Sequence, residues 1–325
     1  MALTDRNGRD QTYLRLSLTD KCNLRCRYCT PSCGVERLKH EDILTLEETI
    51  RLSSILTRKG VKKIRLTGGE PLLRKNIIYL ISSLADLPER PELALTTNGI
   101  LLDDMLDDLR SAGLNSVNIS LDTLIDDVYE NITGQKGADI VIRTVYNAVS
   151  KGFKVKLNVV PLLGINDDSL TELAELARNN DISVRFIELM PIGCATDLEG
   201  ISNDIIRDRL SDRYGAPDIL EQEPDSMGPA HYVRYHGFTG TVGFIDPISH
   251  RFCSNCNRLR LSSDGKLRLC LDSKEAIDLK TPMRQGASDD ELAGIIIRAV
   301  YEKPSGHLFD NKDRQTNDNM IGIGG

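Results

Sequence analysis

The sequence predicts an α/β protein: a partial (β/α)6 TIM-like barrel followed by a C-terminal α+β extension. From residue 12 to about 190, short β-branched segments alternate with helical stretches. Repeated βα units favour a parallel sheet covered by helices, because each right-handed crossover needs a helix to return the chain. After residue 200 this rhythm is lost, and a polar stretch with several Pro and Gly residues indicates a linker or loop. We therefore expect a barrel over residues 1–200 and a second region over residues 201–325.

The barrel strands are identified by short β-branched runs, and the helices between them by apolar residues three or four positions apart. The predicted strands cover residues 13–18, 62–66, 92–97, 116–121, 153–160 and 183–189. Ligands of parallel α/β sheets bind at the carboxyl ends of the strands. We therefore expect the active face at that end.

The second region is predicted to mix strands and helices. Strand-like runs cover residues 232–235, 241–245, 258–261 and 266–271, and the last two are joined at Asp264 and Gly265, a strong hairpin signal. Helices are predicted over residues 273–279 and 288–301.

Composition indicates a folded protein of the cytoplasm. Hydrophobic residues make up 40% and charged residues 27%, as in ordinary soluble domains. No run of about 18 apolar residues occurs and the first residues lack an apolar stretch, so neither membrane insertion nor export is expected. The net charge of -7 disfavours duplex nucleic acid as a partner.

Eight cysteines occur, and six of them form two groups of three. In a large cytosolic chain this grouping favours metal or cluster ligation over disulfides. We interpret the remaining two, Cys33 and Cys194, as ordinary thiols.

The first trio, Cys22, Cys26 and Cys29, has the spacing C-x3-C-x2-C in the loop after the first predicted strand. Structural zinc normally takes four ligands, and a four-iron cluster takes one cysteine per iron. Three cysteines therefore leave one coordination position open for chemistry. A zinc site or scattered thiols are the alternatives.

Two motifs resemble those of the radical S-adenosylmethionine (SAM) superfamily. One is the first trio with Tyr28 before its last cysteine, and the other is Thr67-Gly68-Gly69-Glu70-Pro71 after the second strand, which is similar to the superfamily's GGEP motif. The resemblance implies a [4Fe–4S] cluster on the trio that cleaves SAM to a 5′-deoxyadenosyl radical. The SAM-binding positions that it implies are Tyr28, Gly69, Glu70, Ser120 and Met190. On residue type alone, Ser120 could satisfy local backbone groups and Met190 could be core packing.

The second trio, Cys253, Cys256 and Cys270, has the spacing C-x2-C-x13-C. The predicted hairpin folds Cys270 back toward the other two. A zinc ribbon with a missing ligand is an alternative, although His250 lies on the wrong side of the pair. Strand alternation places Arg258 and Arg260 on one face beside the cysteines.

The whole pattern is similar to one branch of the superfamily, the GTP 3′,8-cyclases of molybdenum cofactor synthesis. The similar segments lie around Arg15, Arg65, residues 96–99, 118–122, 154–158 and 185–191, the second trio and the terminal glycines. The resemblance implies a second [4Fe–4S] cluster, whose open iron meets the guanine base. It also implies GTP-binding residues: Arg15, Arg65, Thr96, Lys156, Arg258, Leu259 and Arg260. Arginine forks suit phosphate oxygens, which agrees with a triphosphate ligand. Residues implied to support catalysis are Arg15, Gly324 and Gly325.

The function implied is a lyase that converts GTP to (8S)-3′,8-cyclo-7,8-dihydroguanosine 5′-triphosphate. The implied partners are an external electron donor, cyclic pyranopterin monophosphate synthase as the next enzyme, and a second copy of the chain in a homodimer. Two other classes stay open: a radical maturase that modifies a peptide, and a zinc-binding or electron-transfer protein. The last does not account for a GGEP motif beside an open cysteine trio.

Overall fold

A single mixed β-sheet organises the chain, with the strand order β12-β11-β10-β1-β2-β3-β4-β5-β6-β9-β8-β7. The structure is a computed structural model that describes residues 2–31, 34, 36–220, 228–273, 275–309 and 320. Its strands are β1 (Tyr13–Ser17), β2 (Lys63–Thr67), β3 (Glu92–Thr97), β4 (Ser116–Ser120), β5 (Lys154–Val159), β6 (Ile182–Ile187), β7 (Asp218–Ile219), β8 (His231–Arg234), β9 (Thr241–Ile245), β10 (Arg258–Leu261), β11 (Lys266–Arg268) and β12 (Ile277–Asp278).

Strands β1 to β6 pair in parallel and in sequence order, which confirms the predicted partial barrel. The sheet then continues beyond residue 200, because β10 pairs in parallel with β1 and β9 pairs in parallel with β6. Antiparallel strands complete both edges. The C-terminal region thus adds strands to both sides of the barrel, and β10 brings the second cysteine trio next to β1.

Helices cover the parallel strands and complete the apolar core. They are α1 (Leu46–Arg58), α2 (Ile77–Ala85), α3 (Leu106–Ser111), α4 (Asp126–Thr133), α5 (Ala138–Ser150), α6 (Leu170–Glu175), α7 (Asn203–Tyr214), α8 (Lys280–Arg284) and α9 (Asp289–Tyr301). Capping boxes begin α1 at Thr45 and α9 at Ser288, where a side chain satisfies amides that lack helical partners. In the described part of the chain, every helix is too short or too polar to span a bilayer.

The helix predicted over residues 273–279 is wrong. Ile277 and Asp278 form the strand β12 against β11, and the next helix begins at Lys280. Strand β11 otherwise offers unpaired backbone groups at the sheet edge, so pairing outweighs a weak helical pattern. Asp278 also accepts a hydrogen bond from the Thr281 amide at 3.0 Å, as a turn residue does before a helix. The hairpin at Asp264 and Gly265 is confirmed, with Gly265 at φ +80°.

Candidate functional site

A cavity of about 330 Å³ lies at the carboxyl ends of the parallel strands and receives both cysteine trios. Of the predicted site residues, those that line this cavity are Arg15, Cys22, Cys26, Tyr28, Cys29, Arg65, Gly69, Thr96, Ser120, Met190, Cys253, Cys256, Arg258, Arg260 and Cys270. The first trio lies in the loop after β1, while the second brackets the β10–β11 hairpin. Pairing of β1 with β10 explains how positions more than 220 residues apart face one cavity.

The first trio lies on a loop whose shape is set by backbone hydrogen bonds. The amides of Cys29 and Thr30 both donate to the Cys26 carbonyl at 2.9 Å, and the Arg25 amide donates to Thr133 at the end of α4 at 2.8 Å. Burial raises the pKa of all three thiols, most strongly for Cys26 and Cys29, which also lie near Asp122. Bound metal favours the thiolate, so ligation would offset this cost of ionisation.

The two glycines of the GGEP motif lie against the first cysteine loop. A Cβ on Gly68, which has φ +146°, would lie 2.5 Å from the Thr19 carbonyl oxygen, and one on Gly69 would lie 2.3 Å from that of Lys21. The Gly69 amide donates to Thr19 at 2.8 Å, and the Glu70 amide donates to Lys21 at 2.7 Å. Glycine is therefore required here so that the loop after β2 can hold the cysteine loop.

Glu70 is fully buried and its side chain does not line the cavity. Its carboxylate accepts hydrogen bonds from the Leu72 amide at 3.0 Å, the Thr97 hydroxyl at 2.9 Å and the Asn98 amide at 2.8 Å. Burial nevertheless raises the pKa of Glu70 to about 7. In this structure the Glu70 carboxylate joins the end of β2 to the end of β3.

Tyr28 and Asp122 form a buried pair beside the first trio. The Tyr28 hydroxyl donates to Asp122 at 2.6 Å, and the Val160 amide donates to the other carboxylate oxygen at 2.8 Å. Burial raises the pKa of Asp122 to about 6. Asp122 is a cavity residue that the site prediction omitted, although it ends the segment of residues 118–122 used for the resemblance.

The second trio differs from the first in its electrostatics. Burial opposes ionisation of Cys256, but nearby Arg258 and Lys303 outweigh burial and lower its pKa to about 7. Burial raises the pKa of Cys270. The Arg258 guanidinium lies 4.7 Å from the centre of the Phe252 ring, within cation–π range.

Three arginines form a row across the cavity wall between the trios. Arg15 on β1 is in register with Arg260 on β10 and with Arg65 on β2. Neighbouring strands lie about 4.8 Å apart, so three cationic side chains occupy adjacent positions. Burial, followed by the charge of Arg260, lowers the pKa of Arg15 well below its usual value. Such a row suits a ligand with several negative charges.

Neutral and cationic side chains complete this wall. Tyr13 accepts a hydrogen bond from Arg65 Nε. The Thr96 hydroxyl and the Asn118 side-chain oxygen are buried cavity atoms without a hydrogen-bond partner. Arg185 also lines the cavity and donates to Asn158. The site prediction missed Arg185, although a cation inside a largely apolar parallel strand was the available signal.

Besides Glu70, four predicted site residues either do not line the cavity or lie outside the described residues. Lys156 is buried 5.9 Å from the Tyr232 ring centre, and Leu259 is fully buried in the apolar core. Gly324 and Gly325 lie outside the described residues, as does Cys33. Cys194 is half-buried in the short 3-10 helix after β6.

The donor sets can be tested against an iron–sulfur cluster. In the described ranges, no group of three or more Cys, His, Asp or Glu residues is close enough to hold a single metal ion. In a four-iron cluster each iron instead binds one cysteine. The thiolates therefore lie farther apart, around the whole cluster. Each trio supplies three thiols that face the same cavity, which fits such a cluster with one open iron.

Comparisons with known proteins agree along the chain. Residues 16–177 match the radical SAM superfamily, and residues 182–309 match the family described as Molybdenum Cofactor Synthesis C. A GTP 3′,8-cyclase of Moorella thermoacetica is 48% identical over 96% of this chain and 97% of its own length. The GTP 3′,8-cyclase of Desulforamulus reducens is 44% identical over 99% of this chain and all of its own.

Two further comparisons concern a longer relative and a solved structure. Molybdenum cofactor biosynthesis protein 1 of Dictyostelium discoideum is 42% identical over 96% of this chain, which covers 51% of that protein. The structure of SuiB from Streptococcus suis bound to precursor peptide SuiA superposes with a TM-score of 0.61 at 14% identity, covering 94% of this chain and 76% of that one. At that identity the likeness concerns the fold alone.

Proposed function

The chain belongs to the GTP 3′,8-cyclase family of the radical SAM superfamily, and we propose that its cavity brings GTP and SAM together between two [4Fe–4S] clusters. It is an enzyme of the lyase class that acts in molybdenum cofactor biosynthesis. The proposed product is (8S)-3′,8-cyclo-7,8-dihydroguanosine 5′-triphosphate. The observation that supports this most strongly is one cavity lined by two cysteine trios and several arginines.

The first trio is the proposed ligand set of the cluster that meets SAM. When bound, this cluster supplies the electron that cleaves SAM. Tyr28, Gly69, Ser120 and Met190 line the cavity and are proposed to hold the cofactor. The Glu70 carboxylate is buried and accepts hydrogen bonds from Leu72, Thr97 and Asn98, and we propose that it acts by fixing the loop.

The arginine row is the proposed triphosphate site. Arg15, Arg65 and Arg260 lie side by side, with Arg258 two residues from Arg260 on β10. Guanidinium groups bind phosphate oxygens through paired, charge-assisted hydrogen bonds. The unpartnered Thr96 hydroxyl is proposed to contact GTP, and Arg15 to support catalysis as well.

The base is proposed to face the second trio, whose cluster keeps one iron free for it. Lys156 and Leu259 are also proposed GTP-binding residues, although neither lines the cavity. The Leu259 side chain belongs to the core, so a contact from Leu259 must come from its backbone. Lys156 is buried, in register with the cavity residue Asn118 and two residues before the cavity residue Asn158, so it shares their face of the sheet and its charge can act at longer range.

Several parts of the proposal concern the whole chain and its surroundings. The double glycine Gly324-Gly325 is proposed to enter the active site and support catalysis, since glycine backbone can approach a ligand closely. Residues 1–200 are proposed as the barrel domain and residues 201–325 as the domain of the second cluster. The proposed partners are an external electron donor, cyclic pyranopterin monophosphate synthase, and a second copy of the chain. A cytoplasmic location is proposed too.

The test is anaerobic reconstitution followed by iron analysis and turnover. Two clusters predict about eight irons per chain. With SAM and a reductant, GTP should be consumed while 5′-deoxyadenosine and the cyclised nucleotide appear, and ATP should serve as the matched control that is not cyclised. About four irons per chain would contradict the second cluster, and unchanged GTP would contradict the activity.

A further inference from the structure

Three buried polar side chains from the two ends of the chain meet at the loop that carries Cys253 and Cys256. Arg9 donates to the Cys253 carbonyl at 2.6 Å. Gln11 donates to the Cys256 carbonyl at 3.4 Å, and Lys303 donates to the Arg258 carbonyl. Arg9, Gln11 and Lys303, the terminal network, therefore contact backbone oxygens at both cysteines and at the first residue of β10.

The members of the terminal network also hold one another and the segment after α9. Lys303 donates to the Gln11 side-chain oxygen at 2.6 Å. Arg9 pairs with buried Asp5 at 2.7 Å and donates to the carbonyls of Pro304 at 2.6 Å and Ser305 at 3.0 Å. The next residue, Gly306, packs against Cys253: a Cβ on it would lie 3.6 Å from the cysteine sulfur.

The physical chemistry of this arrangement is unusual for a loop of a few residues. Arg9 is 9% exposed and Lys303 is 2% exposed, and burying a cation is costly unless hydrogen bonds compensate. Here the compensating acceptors include carbonyls of the second cysteine loop. Hydrogen bonds from charged donors are about twice as strong as neutral ones, so they restrain this backbone firmly.

The first cysteine loop gives the contrast. Its backbone is held by main-chain hydrogen bonds of its own and to α4, such as those from Cys29 to Cys26 and from Arg25 to Thr133. The second loop also has short main-chain hydrogen bonds, from the Asn255 amide to Phe252 at 3.1 Å and from the Cys256 amide to Cys253 at 3.2 Å. In addition, its backbone carbonyls receive buried side-chain donors from residues 9, 11 and 303.

We propose that Arg9, Gln11 and Lys303 are positioning residues for the second cluster, which hold the Cys253–Cys256 loop in its ligating shape before iron binds. This inference rests on the proposed two-cluster function. The terminal network touches neither GTP-facing side chains nor the first trio through any of the hydrogen bonds given above. Its loss should therefore affect one cluster and spare the other.

The test uses Lys303→Met in the full chain, because the apolar stem of lysine is retained while the donor is lost. Arg9 is less suitable, since its removal leaves the buried Asp5 carboxylate unpaired. The double variant Gln11→Met/Lys303→Met removes both partners of their mutual bond, so the Gln11 side-chain oxygen is not left buried and unpaired. It still lacks the donors to Cys256 and Arg258. Arg51→Met is the matched control, because Arg51 joins α1 to Ala287 and Asp289 and does not line the cavity.

Two measurements are made on each protein. In the iron-free chain, maleimide labelling followed by mass spectrometry reports the exposure of single cysteines. Loss of a hydrogen bond of about 1.4 kcal/mol corresponds to a tenfold change, so Cys253 should label about tenfold faster in Lys303→Met, with Cys22 and Cys26 unchanged. Cys256 is left out of this comparison, because loss of the Lys303 charge also raises its pKa and slows its labelling. After reconstitution, iron should fall from about eight to about four per chain while SAM cleavage persists.

The outcomes separate the inference from the proposed function. A parent chain with about four irons contradicts the two-cluster function and this inference together. If the parent holds about eight irons and the variants also keep eight with unchanged cysteine labelling, the inference alone is overturned. Equal loss of both clusters likewise overturns it. So does a double variant that regains eight irons along with its stability. In both cases the terminal network acts through global stability. Selective loss in both variants, absent in Arg51→Met, supports it.

Discussion

Replacing Arg260 by Met should weaken GTP binding and at the same time stabilise the empty protein. Arg260 stands in register with Arg15, which stands in register with Arg65, so three cations share one row of the sheet. Like charges at adjacent positions of a sheet destabilise the fold in the absence of a ligand. Methionine keeps most of the apolar stem and removes one charge from the row.

The stabilisation can be worked out from the Arg260 side chain. Burial, with a contribution from Arg258, lowers the pKa of Arg260 from 12.5 to about 10. Since one pKa unit is about 1.4 kcal/mol, charging Arg260 in the folded state costs about 3 kcal/mol. The side chain is partly open to cavity water, which screens the charge, so we expect the gain to be about 1–2 kcal/mol.

The sign of the pH dependence follows from the lowered pKa. The folded protein binds this proton less tightly than the unfolded chain, so the cost is fully present below pH 10. It disappears only as the pH rises through the interval from 10 to 12.5. The advantage of Arg260→Met in the empty state should therefore be constant between about pH 6 and pH 9.

The assays are equilibrium dialysis for GTP and thermal unfolding with and without GTP. A charge-assisted hydrogen bond contributes about 1.5–3 kcal/mol, so GTP affinity should fall about tenfold to a hundredfold, while SAM affinity stays unchanged. Arg298→Met, on the exposed side of α9, is the control. An unchanged GTP affinity would refute the assignment of the triphosphate site. A lower unfolding temperature of the empty variant would refute the argument that the buried charge of Arg260 is costly to the empty fold.

The other predictions concern the cysteines, the GGEP carboxylate and the C-terminal glycines. Cys26→Ala should abolish 5′-deoxyadenosine formation, whereas Cys256→Ala should retain part of it and lose the cyclised product; full cyclase activity in both contradicts the two-cluster assignment. Burial raises the pKa of Glu70 to about 7, so the folded protein holds this proton more tightly than the unfolded chain. The free energy of unfolding of the parent, relative to Glu70→Gln, should therefore fall by about 3 kcal/mol as pH rises from 4.5 through 7. Denaturant unfolding at pH 5 and pH 8 measures this, and an equal difference at both contradicts it. Deleting Gly324 and Gly325, or changing Gly324 to Ala, should preserve iron content and GTP binding while cyclisation collapses; a folded deletion variant with the parent rate would refute a role for the tail.

Local pattern was sufficient for most elements of the fold. Apolar segments with regular helical intervals predicted β1 to β6 within a few residues, because a buried parallel strand needs a continuous apolar run. The turn at Asp264 and Gly265 was equally readable, since few residues other than Gly accept φ +80°. The segment at Ile277 was misread because its partner, β11, is a tertiary neighbour that the local pattern does not show.

The candidate site shows the same division. Spacing identified both cysteine trios, because the members of each trio lie within a short stretch of the chain. Spacing did not reveal that the Glu70 carboxylate bonds to neighbouring loops and does not line the cavity, or that Leu259 belongs to the core. It also did not reveal that Arg185 and Asp122 line the cavity. These facts depend on which side of a strand faces the cavity and on which neighbouring loops supply donors.

From its sequence alone, this protein could be assigned its fold class, its superfamily motifs, its two cysteine trios and its branch of the superfamily. Each of these depends on residues close together in the chain, where spacing and backbone preference act. Only the tertiary structure placed Arg260 beside Arg15 and connected Lys303 to Gln11 and to the second cysteine loop. The physical reason is that strand pairing and hydrogen bonds join segments up to 296 residues apart, and no local pattern encodes which distant donor will satisfy a buried carbonyl.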